Sequence, residues 1–289
     1  MPDLYVQLSN ALRGLRLNRV AARLIPDTPI TRAVPHIGRF TFSLRRHRWL
    51  LGKTPFRGHA PVLGLFHHLV RPGDTLYDIG ANIGYYARYN LAHLDLSHLV
   101  AFEPFAPNRR LLEKNLADEP RARVIGDAVG DVTEDGVELQ VDDMAGGSSV
   151  LTKVSGGEAS LGRASAGLAA KADTVRLVTL DDLRREDPTL PGPDVMKIDT
   201  EGAEHLVLAG AEQTLAEHKP RLILASHGTD RAALMLEQLQ RLGYHLAGWD
   251  NTGTWRVMTT AEQMGNNNCI ASVEASDIER EPAHAEVMS

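Results

Sequence analysis

From about residue 61 onward, short apolar runs alternate with longer stretches of helical periodicity, and that alternation leaves few folds open. Residues 75–79, 99–102, 123–125, 195–198 and 221–225 read as strands. Residues 85–96, 107–116, 203–217 and 231–242 read as helices. Strands joined through helices cannot close as hairpins. Their crossovers set neighbouring strands parallel and lay the helices over both faces of the sheet. The expectation is an α/β fold with a mostly parallel, twisted sheet and helices on both sides. Residues 137–141 and 174–179 read as additional strands, and 244–249 opens a terminal strand pair. With 289 residues, 43% of them apolar, the chain can bury roughly three quarters of the surface its unfolded form exposes.

The flanks differ from this domain in charge. Residues 1–60 carry eleven Arg/Lys against Asp3 and Asp27, a balance of +9, whereas residues 274–289 carry −4 and residues 61–273 carry −11. Leu4, Leu8, Leu12 and Leu15 recur at helical spacing among Arg13, Arg16, Arg19 and Arg23, so residues 1–25 read as a basic amphipathic helix. Such an N-terminal helical arm can lie on the acidic domain, on a second subunit in a homo-oligomer, or on another acidic surface. Pro26, Pro29 and Pro35 mark a linker, and residues 36–60 read as short strands or turns. The expected organisation is therefore an arm and linker over 1–60, the α/β domain over 61–273, and a solvated acidic tail over 274–289. Within the domain, the Gly/Ala/Ser-rich residues 144–173 read as a flexible insertion. The lone Cys269 excludes an internal disulfide framework and a multi-cysteine zinc site. No run of 18 apolar residues suggests a membrane span, and the N-terminus lacks a secretory pattern, so a cytoplasmic protein is expected.

The stretch Asp78-Ile79-Gly80-Ala81-Asn82-Ile83-Gly84 lies where the first strand of the domain gives way to a helix. Gly80 permits a tight turn, and Gly84 lets helix, strand and ligand approach closely. The spacing is not the G-x-G-x-x-G of dinucleotide sites, and no G-x-x-x-x-G-K-[ST] phosphate loop occurs. Glu103 ends the second strand, where a carboxylate accepts hydrogen bonds from both ribose hydroxyls of an adenosine ligand. Asp127, with Ala128, follows the third strand, where it can accept from an adenine amino group. Asp78 can meet the ammonium of an amino-acid moiety. Alone, each acid reads as an ordinary cap or turn residue. Together at three successive strand ends, they suit S-adenosylmethionine, a cationic sulfonium with no pyrophosphate.

These residues, with Phe102-Glu103-Pro104, Asp127-Ala128-Val129-Gly130 and above all Lys197-Ile198-Asp199-Thr200-Glu201-Gly202-Ala203-Glu204, make the sequence resemble the FkbM family of S-adenosylmethionine-dependent methyltransferases. Leu208-Ala209-Gly210 and Lys219-Pro220-Arg221 follow the same pattern, and the resemblance runs from about residue 70 to 248. It implies a Rossmann-like class I methyltransferase domain. It also implies methyl transfer, generally to a hydroxyl oxygen of a sugar or other small metabolite. The family often places a glutamate two residues before the histidine that follows the K-P-R strand. Here that position is Ala225, while His227 is retained.

Asp78, Gly80, Asn82, Gly84, Glu103, Asp127 and Ala128 are thus the cofactor candidates. Asp199, at the end of the fourth strand, and His227, after the fifth, are the candidates for activating an acceptor hydroxyl, with Asp199 expected to orient the imidazole. Lys197 can stabilise a developing oxyanion or pair with a neighbouring acid. Glu201 and Glu204 bunch with Asp199 at a helix start and are acceptor-side candidates, together with Ser148 and Ser149 in the expanded segment. Asp199, Glu204 and His227 offer oxygen and nitrogen ligands, yet no tight ligand spacing is present and a divalent metal is not expected. The expected partner is a small hydroxylated substrate. A nucleic acid is not expected, because phosphate would be repelled by the −11 domain. The alternatives are a non-catalytic cofactor-binding adapter and methyl transfer to a nucleic acid or protein.

Overall fold

All six residues from Asp74 to Ile79 are buried, as a strand covered on both faces requires. In the computed structural model, residues 25–51, 59–142, 148–151, 171–250, 252–265 and 267–282 are described. The described residues open with a hairpin of β1 (Pro29–Val34) and β2 (Gly38–Ser43), followed by a 3-10 turn at Arg48–Leu51 and helix α1 (Ala60–Leu69). Then come β3 (Asp74–Ile79), α2 (Tyr85–His93), β4 (Leu96–Phe102), α3 (Ala106–Asn115) and β5 (Ala122–Ile125). A small sheet follows, with β6 (Ala128–Val129), β7 (Glu134–Asp142), β8 (Ser148–Leu151) and β9 (Lys171–Val178) in the order β6-β9-β7-β8. The chain returns through α4 (Leu180–Glu186), β10 (Val195–Ile198), α5 (Glu204–Ala209), α6 (Glu212–His218), β11 (Arg221–Ala225) and α7 (Thr229–Arg241). It finishes with β12 (His245–Trp249), β13 (Trp255–Met258), α8 (Ala261–Met264), β14 (Asn268–Ser272) and α9 (Ala275–Glu279).

The central sheet has the order β13-β12-β14-β11-β10-β3-β4-β5. From β11 to β5 every neighbouring pair is parallel, which is the expected α/β architecture. From β3 the chain builds outward to β4 and β5, then crosses back to β10 and β11 on the other side. The reversal point therefore lies between β3 and β10, where open α/β sheets hold ligands beyond the strands' carboxyl ends. Ile198 is in register with Ile79, and the Asp199 amide donates to the Ile79 carbonyl at 3.1 Å. The glycine turn after β3 and the acidic stretch after β10 are neighbours for that reason.

Several boundaries depart from the sequence expectations. The β1–β2 hairpin does not stand apart as linker, because Phe40 and Phe42 are fully buried and β2 packs on α3. Asn115 fastens it there, accepting from the Thr41 amide at 2.7 Å and donating to the Thr41 carbonyl at 2.9 Å. The helix expected over 203–217 is two helices. The Gly210 carbonyl is taken by the Asp181 amide at 3.1 Å, and a Cβ at Gly210 would overlap the Gly130 carbonyl, so the chain bends there. Strand β14, absent from the sequence reading, inserts antiparallel between β11 and β12. The acidic end is not wholly solvated either, since Ile278 of α9 is buried and Asp277 pairs with Arg71. Part of the segment read as a flexible insertion is strand, for β8 pairs with β7. Its residues 144–147 and 152–170, residues 1–24 of the basic helix expected over 1–25, and the residues from 283 onward lie outside the described residues.

One buried ion pair ties the opposite edge of the sheet together. Both Asp74 oxygens accept from Arg221 Nη2 at 2.9 Å, joining the start of β3 to the start of β11. Among the described residues, no helix is long and apolar enough to cross a membrane.

Candidate functional site

The turn after β3 is built for close approach. Gly80 and Gly84 have φ of 80° and 85°, and Asn82 sits at 53°, a left-handed conformation that asparagine tolerates better than most residues. The amides of Gly80 and Ala81 donate to the Phe102 carbonyl, holding the turn against the end of β4. Glu103 completes the arrangement, accepting from the Asn82 amide through Oε2 and the Phe105 amide through Oε1, both at 2.9 Å. Each carboxylate oxygen keeps a second lone pair for a ligand hydroxyl. Burial pushes Glu103 up to about 7, against the opposing pull of those amides and of Lys197. The turn and this carboxylate fit an adenosine ribose.

Lys197 and Asp78 form the floor. Lys197 is 3% exposed, and its Nζ lies 3.0 Å from Asp78 Oδ1 while donating to the Gly80 carbonyl at 2.8 Å. Burial raises Asp78 despite Lys197. The same burial acts to lower Lys197, but Asp78 and Asp199 hold it above its ordinary value. The lysine is thus a strut between β10 and the glycine turn, not an ammonium facing an acceptor. It also gives Asp78 a cation within the protein. Asp78 Oδ2 has no hydrogen-bond partner among the described residues.

The stretch after β10 gathers the acceptor-side candidates. Glu201 has φ of 56° and Gly202 112°, a strained backbone that needs support from its surroundings. Glu204, completely buried, supplies it. Its Oε1 accepts from the amides of Thr200 (2.8 Å) and Gly202 (3.1 Å) and from the Thr200 hydroxyl (3.2 Å). The same oxygen is 3.1 Å from His227 Nδ1. The carboxylate orienting the imidazole is therefore Glu204, and not Asp199 as the sequence suggested. Asp199 still joins the group, because one ligand atom from each of Asp199, Glu204 and His227 lies within 4.8 Å of the others. Glu201 Oε2 is 3.9 Å from His227 Nε2. Burial alone would lower His227, but the hydrogen bond and charge of Glu204, aided by Asp199 and Glu201, push it up to about 9.

Asp127 and Ala128 follow β5 on the same carboxyl edge as Glu103, whose amide donates to the Ile125 carbonyl at 3.1 Å. Asp127 pairs with Arg176 at 3.2 Å in a partly exposed position after β5, and Ala128 is buried at the start of β6. Ser148 and Ser149 belong to β8 of the small sheet, in register with Asp142 and Val141, and not to the carboxyl edge of the central sheet. An aromatic group that includes His59, together with Tyr85 and Tyr86, stands beside Lys197 and Asp199. His59 donates to or accepts from the Tyr86 hydroxyl at 2.8 Å and stacks near Trp49 and Tyr85, with both rings 4.9 Å away. Tyr86 lies 5.6 Å from Lys197 Nζ, and burial lowers His59 despite the nearby Asp199. His59 sits at the N-cap of α1 and carries no motif of its own, so only its tertiary position reveals it.

The pattern of the Methyltransferase FkbM domain matches residues 78–246, more than half of the chain. The chain belongs to the FkbM methyltransferase family. Among curated proteins, the FkbM-family chain is 28% identical over 207 residues to the AMB antimetabolite synthetase AmbE of Pseudomonas aeruginosa. That match covers 61% of the chain and 10% of AmbE, so the chain spans about a tenth of that relative's length. Among solved structures it is similar to methyltransferase FkbM from Methylobacillus flagellatus KT, with a TM-score of 0.43 and 19% identity over 72% of this chain and 49% of that one. Fibrillarin from Aeropyrum pernix, crystallised with natively bound S-adenosyl-L-methionine, gives a TM-score of 0.43 and 11% identity over 75% and 74%.

Proposed function

We propose that this FkbM-family chain is an S-adenosylmethionine-dependent O-methyltransferase acting on a hydroxyl of a small metabolite or sugar. The observation that carries the reading is the juxtaposition of Glu103 and the glycine turn with Asp199 and the Glu204–His227 pair at one reversal point of the sheet. When bound, the cofactor supplies a methyl group on a positively charged sulfur, open to in-line displacement. Glu103 holds the ribose hydroxyls, and the turn from Gly80 to Gly84 brings the backbone against the ligand. Asp78 contributes a buried carboxylate with Oδ2 to spare beside Lys197.

An alcohol must be aligned and must lose a proton as it attacks. Asp199, whose side chain is 37% exposed, reaches the crevice and takes the hydroxyl's proton. Glu204 fixes His227 through Nδ1, leaving Nε2 to position the acceptor oxygen. The aromatic group of Trp49, His59 and Tyr86 forms an apolar wall against the substrate ring and limits water beside the reacting atoms.

The test is calorimetric titration of the full chain with S-adenosylmethionine. Saturable binding of one equivalent is expected, weakened about 100-fold in Glu103→Ala through loss of hydrogen bonds to a charged acceptor. Glu103 ionises only above about 7, and its ionised form is the better acceptor, so wild-type affinity should improve from pH 6 to pH 8. Unchanged affinity in a Glu103→Ala chain with native circular dichroism would remove Glu103 from the site.

A further inference from the structure

We propose that Asp199, Glu204 and His227 hold one divalent first-row cation, with Mn²⁺ the ion that best fits the donor set. One ligand atom from each lies within 4.8 Å of the others. Glu204 Oε1 and His227 Nδ1 are 3.1 Å apart. That hydrogen bond fixes the imidazole through Nδ1 and leaves Nε2 as its ligand atom.

The second observation concerns the other oxygen of the same carboxylate. Glu204 is completely buried and four donors converge on Oε1, whereas Oε2 is buried with no hydrogen-bond partner among the described residues. An unsatisfied carboxylate oxygen in the interior is costly and calls for a ligand. Asp74 and Asp127, by contrast, face Arg221 and Arg176, and the buried Asp78 faces Lys197. Among the described residues, no lysine or arginine nitrogen lies within ion-pair distance of Glu204.

The site also has an entrance. Side chains of Asp199 and His227 are 37% and 33% exposed, so an ion can enter from the crevice and keep open positions on that side. Two carboxylates with one imidazole suit Mn²⁺, which accepts oxygen ligands and tolerates nitrogen, better than Ca²⁺, which prefers oxygen alone. Binding of the ion stands on the side chains themselves. Its use, as a Lewis acid holding the acceptor hydroxyl oxygen, rests on the methyl-transfer reading above.

The experiment is a titration of chelator-treated full chain with Mn²⁺ alone, following free Mn²⁺ by electron paramagnetic resonance. One ion per chain is expected, with a dissociation constant below about 1 mM. Asp199→Asn, Glu204→Gln and His227→Ala should each weaken it at least about tenfold. Mn²⁺ should also raise the thermal midpoint of the wild type and not of Asp199→Asn. Asp199 is half-exposed at a strand end, so its variant decides the matter even if Glu204→Gln folds poorly. No saturable binding, or wild-type binding by folded Asp199→Asn and His227→Ala, overturns the proposal. Cofactor affinity measured in the same preparations separates the two readings: cofactor binding without Mn²⁺ binding refutes only the metal site. Mn²⁺ binding without any methyl transfer refutes only the acceptor chemistry.

Discussion

Glu204→Ala is expected to lower stability by about 3 kcal/mol and to reduce turnover about 100-fold or more. The stability loss follows from what Glu204 Oε1 accepts: the Thr200 and Gly202 amides, the Thr200 hydroxyl and His227. Alanine leaves two amides of a strained loop unsatisfied and removes the imidazole's buried partner, a combination that costs several kcal/mol. For a chain of this size the thermal midpoint should fall by roughly 6–12 °C. Glu204→Gln separates folding from chemistry. Its amide oxygen can still accept from Thr200 and Gly202, so most stability should return, while the charge that orients His227 is gone and turnover should stay low. Recovery of full turnover in Glu204→Gln would show that the Glu204–His227 pair is only a strut. Thermal melts and initial rates on the identified acceptor are the measurements.

Gly80→Ala is expected to abolish measurable cofactor binding and to cost at least about 3 kcal/mol. The residue has φ of 80°, where a Cβ adds strain of roughly 1–2 kcal/mol. Worse, that Cβ would overlap the Asp199 carbonyl oxygen, which is backbone and cannot rotate away. The ends of β3 and β10 would have to part. That would break the bond from the Asp199 amide to Ile79 and the one from Lys197 to the Gly80 carbonyl. Overpacking of this kind adds about 1–3 kcal/mol. Gly84→Ala is the contrast: its Cβ would meet Leu112 Cδ1 at 2.6 Å, the end of a side chain that can shift. Its φ of 85° makes it unfavourable, but a smaller loss of affinity is expected. Equal effects in the two variants, by calorimetry and thermal melt, would contradict the close approach of β3 and β10 as the cause.

The parallel half of the sheet was legible because β10 and β11 are buried throughout and read as nearly continuous apolar runs. Strand β14 was not, since Asn268-Cys269-Ile270-Ala271-Ser272 holds only three consecutive apolar residues, too short a run to set it apart from a loop. The break at Gly210 was hidden too, because the carbonyl it gives up is claimed by Asp181, 29 residues earlier in a different element. In the site, Glu103 and the glycine turn were readable as a local strand-end pattern. The pairing of His227 with Glu204 was not: both acids lie in one short stretch, and only the loop geometry at Glu201 and Gly202 decides which turns inward. The same geometry makes the Asp199–Glu204–His227 cluster compact, a property that ligand spacing in the sequence does not express.

Methyl transfer is tested most directly by mass spectrometry on metabolite extract incubated with the full chain and methyl-labelled S-adenosylmethionine. A small hydroxylated product should gain the labelled methyl with the wild-type chain and be absent with Glu103→Ala. Label appearing only in nucleic acid or protein, or in no product despite saturable cofactor binding, would contradict that expectation.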